Sequence, residues 1–344
     1  MELIVEPLNL LAKPRVGDLC CGMGGMSLAA AQLDLDVVVG VDNNAEAIRT
    51  FGKNFGGAIA LQGSIRSRAV LDQCALLLKP QDKPAALSII LSGPPCQGFS
   101  DAGSRDPADP RNRVFNAVAR AIAELQPDCA LVENVAALLS EKHSKRLSVC
   151  EDVLEQAGYN VCTIVLDSGD FGVPQKRRRT FFLLSREKLV ESEVLKRIAR
   201  FRTMPVTVGD VLNDLPIPAV RPDDYDDERD YASAANHLAM RHSRRVVEKI
   251  SAIRPGTGPM SYRRLHPTRL SNTLFSGHRA PPAHFSEPRS ITTREAARLQ
   301  GFPDSFRVYG SFSNQMEQVT NAVPPQMTRA TLQILLELSG LETR

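Results

Sequence analysis

The chain has 344 residues, 43% hydrophobic and 24% charged, with a formal net charge of +3. That length implies one large domain plus a smaller one, or two comparable ones, and the near balance of charge excludes a uniformly basic nucleic-acid binder, so any such surface must come from local clustering. No apolar run approaches the ~20 residues of a membrane-spanning helix, the first residues lack the pattern of a secretory signal, and seven irregularly spaced cysteines with no Cys-x-x-Cys argue against a disulfide framework or a metal site.

The first predicted strand, 16–20, runs into Cys20-Cys21-Gly22-Met23-Gly24-Gly25 and a helix start. Glycines there let backbone approach a ligand, and a helix N-terminus favours negative charge. The second strand, 37–41, ends on Asp42, twenty residues after Gly22, where an acid can bind ribose hydroxyls. This spacing fits a nucleoside cofactor. It matches neither Gly-x-Gly-x-x-Gly nor a phosphate-binding Gly-Lys-Ser/Thr loop.

A third strand, 87–92, leads into Ser92-Gly93-Pro94-Pro95-Cys96-Gln97-Gly98-Phe99-Ser100. A cysteine on a Pro/Gly-stiffened turn at a strand end is a candidate nucleophile, although many free cysteines are simply buried. Residues 98–113 form a polar loop, read as a lid that closes over substrate, with Arg111 and Arg113 in reach of phosphates. Val114, Phe115, Val118, Ile122 and Leu125 then recur at helical spacing. The fourth strand, 129–133, delivers Glu133 at the edge that carries Cys96, and desolvation there would raise its pKa. A helical pattern at Val149, Val153, Leu154 and Ala157 precedes strand 161–166. The basic run Gln175-Lys176-Arg177-Arg178-Arg179 enters strand 180–184, and alternation puts Arg177 and Arg179 on one face. Strand–helix alternation at this rhythm implies an α/β fold with a doubly wound, mostly parallel sheet.

The rhythm stops after residue 185. Residues 221–230 read as a solvated acidic loop with no packing signal. Residues 236–289 carry ten Arg/Lys against Glu248 and Glu287, plus five of the six histidines. A helix is expected at 292–300, a polar turn at 318–325, and a final amphipathic helix at 326–338.

In this order and at these separations, the blocks resemble the DNA cytosine-5 methyltransferase family over nearly the whole chain except roughly 190–270. The Gly-rich block is similar to the family's S-adenosylmethionine loop, Pro94-Pro95-Cys96-Gln97 to its nucleophile motif, and Glu133-Asn134-Val135 to its Glu-Asn-Val motif. Gln175, Arg177 and Arg179 match Gln-x-Arg-x-Arg. Arg289 through Asp304 resembles the helix bracing the recognition domain, and Asn321 the last cofactor-side motif. Two positions depart from the pattern: Cys20 stands where Phe is usual, and Ser64 where Asp is frequent.

The resemblance implies a Rossmann-like methyltransferase domain at 1–188, a smaller target-recognition domain at 189–288, and a return segment at 289–344. It implies Cys96, Glu133, Arg177 and Arg179 as catalytic residues. It places S-adenosylmethionine, with no metal, against Asp18, Cys20, Gly22, Met23, Gly24, Gly25, Asp42, Asn43, Ser64, Ile65, Pro94, Asn321 and Ala322. Double-stranded DNA is expected at Gln97, Ser100, Arg111, Arg113, Arg263, Arg264, Thr273 and Leu274. A bacterial, cytoplasmic monomer with a cognate restriction endonuclease is the expected setting. RNA cytosine methylation and a catalytically silent DNA-binding regulator are the alternatives.

Overall fold

The computed structural model describes residues 13–81, 87–95, 113–229, 234–275 and 281–341. The first half alternates β1 (Arg15–Leu19), α1 (Gly25–Gln32), β2 (Asp36–Asp42), α2 (Ala45–Asn54), β3 (Ile59–Gln62), α3 (Arg68–Leu78), β4 (Ser88–Ser92), α4 (Arg113–Leu125), β5 (Cys129–Val135), α5 (Ser144–Gln156) and β6 (Asn160–Asp167), followed by β7 (Gln175–Lys176) and β8 (Arg178–Ser185). The second half holds α6 (Glu191–Ile198), α7 (Val208–Leu212), β9 (Ala219–Val220), β10 (Leu238–Ala239), α8 (Arg244–Ser251), β11 (Ser271–Asn272), α9 (Thr293–Leu299), α10 (Phe312–Asn321) and α11 (Pro325–Leu338).

Seven strands form one sheet in the order β3-β2-β1-β4-β5-β8-β6. The pairings from β3 through β5 are parallel, and β8 runs antiparallel to both neighbours. Chain order reverses between β1 and β4, the place where open α/β sheets leave a ligand crevice at the carboxyl ends of their strands. One sheet face packs Met26, Val194, Met327 and Leu335 from α1, α6 and α11. The other packs Leu71, Phe115, Ile122 and Leu154 from α3, α4 and α5. The six expected strands all form: β1, β4, β5 and β8 are buried along almost their whole length, while β6 at the sheet edge alternates buried and part-exposed residues.

Three sequence expectations change. β3 went unread because its residues are part-exposed at the sheet edge. Residues 318–321 are not a turn but the end of α10, where Phe312, Met316 and Val319 bury one helical face. The acidic segment 221–230 is not simply solvated. Asp227 accepts two hydrogen bonds from Arg49 (2.7 and 3.0 Å) and one from Gly310 N–H, and Arg49 also reaches Glu228 at 2.6 Å. Arg307 donates to the carbonyls of Asp227 and Arg229. These partners lie far away in sequence, so composition alone gave no packing signal.

A third cluster joins residues 208–274 to the C-terminal segment, with Val208, Leu265 and Leu274 packed on Ile291, Leu299 and Phe302. Helix α9 begins with a capping box in which Thr292 and Glu295 exchange hydrogen bonds, a strong start signal.

Candidate active site

The turn after β1 is held open by backbone geometry. Gly22 has φ +54°, and a Cβ there would meet no atom within 4 Å. Its N–H donates to Asp42 at 2.9 Å, and the other Asp42 oxygen accepts Asn44 N–H at 2.9 Å. The expected ribose-binding acid is thereby fixed in orientation, with lone pairs left over. Gly25 admits no side chain, because a Cβ would lie 2.3 Å from the Val323 carbonyl oxygen. The turn at Ala322–Val323, just after α10, therefore rests directly on the Gly-rich loop. Cys20 takes a left-handed φ of +64°, unusual for a residue with a side chain.

Ile65 is buried, Ser64 caps its own turn by accepting Arg66 N–H, and Asn43 is exposed. These residues and Pro94 sit at the carboxyl ends of β3, β2 and β4, beside the β1 turn. Met23, by contrast, sends its side chain into the third cluster with Leu299 and Phe302, so only its backbone borders the turn.

Asp18 is fully buried at the end of β1. One carboxylate oxygen accepts Ser27 Oγ at 2.7 Å, while the other has no hydrogen-bond partner among the described residues. Burial pushes its pKa up to about 6. A buried acid with an open oxygen beside a glycine cradle fits a cationic nucleoside cofactor.

The second half of the site comes from β5 and β8. Their antiparallel register sets Glu133 opposite Phe181 and Val135 opposite Arg179, so Glu133 and Arg179 are diagonal neighbours on one face. The Arg179 Nε lies 2.8 Å from Glu133 Oε1, both side chains largely buried. Desolvation raises the Glu133 pKa, and the charges of Arg179 and Arg177 oppose that rise. Asn134 donates to the Pro94 carbonyl at 3.3 Å, tying the acid's strand to the turn after β4. Arg177 does not share a strand with Arg179, since the chain breaks between β7 and β8. Its guanidinium donates to the Ala322 carbonyl at 3.1 Å.

Cys96, Gln97, Ser100 and Arg111 lie outside the described residues, as does the side chain of Arg113. The described chain stops at Pro95, on the edge that carries Glu133.

Away from the Gly-rich turn, a cavity of about 530 Å³ is lined by Lys176, Met260, Arg263, Arg269, Asn272 and Phe275, among others. Lys176, Arg263 and Arg269 are exposed and have no ion pair among the described residues. Arg264, expected at the DNA surface, is instead committed to the carbonyls of Ile253, His284 and Ser286 at 2.8–3.1 Å. Thr273 donates to the Lys176 carbonyl at 2.6 Å and Leu274 is buried, so this pair pins β11 to β7 rather than presenting side chains outward. Sequence reading did not single out Lys176 and Arg269, which line this cavity; both lie in basic stretches where composition cannot separate free from braced cations. It also gave no role to Gln300, which is wholly buried against Gln175.

The chain is similar to known proteins over most of its length. Residues 14–337 match the model of the C-5 cytosine-specific DNA methylase family. The chain is 30% identical to the Type II methyltransferase M1.HphI of Haemophilus parahaemolyticus, over 94% of this chain and 87% of that one. It is 29% identical to the Type II methyltransferase M.DdeI of Desulfomicrobium norvegicum, over 91% and 86%. A crystal structure of a prophage-encoded DNA modification methyltransferase from E. coli superposes with a TM-score of 0.78 at 29% identity, covering 95% of this chain and 99% of the other. With the family's model matched over nearly the whole chain, the chain belongs to the C-5 cytosine-specific DNA methylases, enzymes that methylate cytosine in DNA.

Proposed function

We propose that this protein transfers a methyl group from S-adenosylmethionine to C5 of a cytosine flipped out of a specific double-stranded DNA sequence, through a covalent bond from Cys96 to C6. The observation that carries the reading is the buried Glu133–Arg179 pair, joined through Asn134 and Pro94 to the turn that leads to Cys96. Cytosine C5 is a poor nucleophile. Addition of the Cys96 thiolate to C6 makes C5 enamine-like, while Glu133 holds the N3/N4 edge and stabilises the protonated ring, and Arg179 contacts O2. The bound sulfonium supplies an electrophilic methyl group. Loss of the C5 proton then expels the cysteine and restores the aromatic ring. Arg177 braces the Ala322 carbonyl and adds positive charge near Glu133. Reaching the ring costs a few kcal/mol of stacking and pairing.

The segment 189–288 serves as the recognition region, with Lys176, Arg263 and Arg269 placed for phosphates or base edges. Its relatives' names fit a bacterial restriction–modification setting, with a monomer acting in the cytoplasm beside a cognate endonuclease. Among the described residues no helix is long and apolar enough to cross a membrane. Unmodified DNA incubated with the protein and S-adenosylmethionine is expected to yield 5-methylcytosine by nucleoside mass spectrometry. Absence of any modified cytosine would overturn the reading, and modification of transfer RNA alone would replace it.

Asp18 gives the cofactor site a pH signature. Its carboxyl, with a pKa near 6 when no ligand is bound, is neutral below that value and anionic above it. A cationic ligand attracts only the anion, so binding releases a proton below pH 6. Affinity for S-adenosylhomocysteine, which keeps the ammonium, is therefore expected to rise between pH 5 and 7 and level off above. Calorimetry checks this; Asp18→Asn should give a flat, weaker profile. A wild-type affinity independent of pH would refute the assignment. The sign for folding is opposite. The raised pKa means stability without ligand falls as pH rises from the unfolded value of 3.8 through about 6.

A further inference from the structure

A continuous buried hydrogen-bond chain links the recognition side to the cofactor side. The Leu274 N–H donates to Gln175 Oε1 at 3.1 Å. Gln175 Nε2 donates to Gln300 Oε1 at 2.6 Å and to the Leu299 carbonyl at 3.2 Å. Gln300 Nε2 donates to the Ala322 carbonyl, which also accepts from Arg177. Both amides are wholly buried. The donor and acceptor demands at the two ends fix both amide orientations, because Leu274 N–H needs an oxygen and Ala322 needs a donor.

Each end of the chain touches a working part of the molecule. Leu274 follows β11, which lines the 530 Å³ cavity and is hydrogen-bonded to β7 only two residues before Arg177. Ala322 precedes Val323, whose carbonyl contacts Gly25 of the cofactor loop. The Val323 side chain lies 3.5 Å from the Cβ position of Gly93, and Glu133 Oε2 lies 3.9 Å from the same point. A shift of β11 cannot be absorbed by solvent here. Gln175 must follow Leu274 or leave a buried N–H unpaired, and Gln300 must follow Gln175.

We infer that Gln175 and Gln300 are positioning residues that couple occupancy of the recognition groove to the geometry of the cofactor loop. They touch neither base nor donor. Their effect is a coupling free energy, so it acts equally in both directions: DNA tightens cofactor binding by the factor by which cofactor tightens DNA binding. The inference rests on the assignment above of DNA to the cavity and of S-adenosylmethionine to the Gly-rich loop.

The test measures S-adenosylhomocysteine affinity of the full chain by calorimetry, with and without a duplex carrying the site mapped for the wild-type enzyme. Wild-type binding is expected to tighten on the order of tenfold with the duplex, within the usual range of site coupling. Gln175→Met and Gln300→Met should each reduce that factor to about twofold or less, and the double variant should lose no more than either single one, as members of one unit do. Affinity in the absence of DNA should not change in Gln175→Met. If Gln175→Met fails to fold, Gln175→Glu keeps the acceptor for Leu274 and removes the donor toward Gln300, with the same loss of coupling expected. No tightening in the wild type, full tightening in both single variants, or losses that add in the double variant would each overturn the inference. A purely structural role would lower thermal midpoints and leave the coupling factor intact. If the wild-type enzyme makes no 5-methylcytosine, it is the functional reading that fails, and the mass-spectrometric assay shows this separately.

Discussion

Cys96→Ala is expected to leave no detectable methyl transfer, and Glu133→Gln to lower kcat by roughly 10²–10⁴-fold, the usual worth of a positioned proton-handling group. The two losses differ in kind. On the proposed mechanism, without the thiolate C5 does not become nucleophilic and no covalent adduct forms. Without the Glu133 carboxyl, the ring edge loses the group that favours a protonated intermediate. Gln still offers Arg179 an acceptor oxygen, so the 2.8 Å contact survives in weaker form. DNA containing 5-fluorocytosine separates the cases, because fluorine at C5 cannot leave as the proton does and the adduct accumulates. Glu133→Gln should trap such DNA slowly, and Cys96→Ala should trap none. Methylation at near wild-type rate by Cys96→Ala would sink the covalent mechanism; unchanged kcat in Glu133→Gln would remove the acid from the reaction.

The largest stability effect is expected at Arg294. This arginine is 0% exposed and donates to the carbonyls of Ala235, Pro303 and Phe306 at 2.6–3.0 Å. Burial lowers its pKa to about 10, so it remains cationic at neutral pH with Asp304 3.9 Å away. Arg294→Met removes the donors from three carbonyls at once, at ~1–3 kcal/mol each for a buried orphan. Relief of charge burial offsets part of this, leaving a net loss of roughly 3 kcal/mol or more. The thermal midpoint should fall by roughly 5–10 °C. Circular dichroism on heating decides it; a midpoint within about 1 °C of wild type would show that water or neighbouring donors replace the guanidinium. The same side chain holds Ala235 and its backbone N–H holds Asn236, which sits at φ +63° with its amide clamped on Val308. Loss of Arg294 should therefore loosen the entry to the recognition side before it disturbs the sheet.

The sheet was legible in the sequence because its central strands are apolar on both faces and end on or beside chemically distinctive residues: Asp42, Pro94, Glu133. Edge strand β3 was not, since an exposed four-residue strand has no periodic signature. The site was legible as an ordered set of motifs, and the ion pair of Glu133 and Arg179 follows once β8 is known to run antiparallel. That direction is a property of the fold and leaves no mark in local sequence. The same limit explains Arg263 and Arg264. They are adjacent and identical in type, yet one is exposed and the other is bound to three carbonyls brought from 11 to 22 residues away. The acidic strap was misread for the same reason, its cationic partners being supplied by α2 and by Arg307.

The contact of Val323 with Gly25, and the packing of α11 on α1, mean that the Gly-rich loop is completed by residues made much later in synthesis. Residues of the first sheet half leave the ribosome some three hundred positions before Met327 and Leu335 arrive to cover Met26 and Ala30. Until then that sheet face is covered only by α1 and α6, and the Gly-rich loop lacks its contact with Val323. A chain that has not yet made α11 therefore leaves Met26 and Ala30 without those partners and is exposed to self-association.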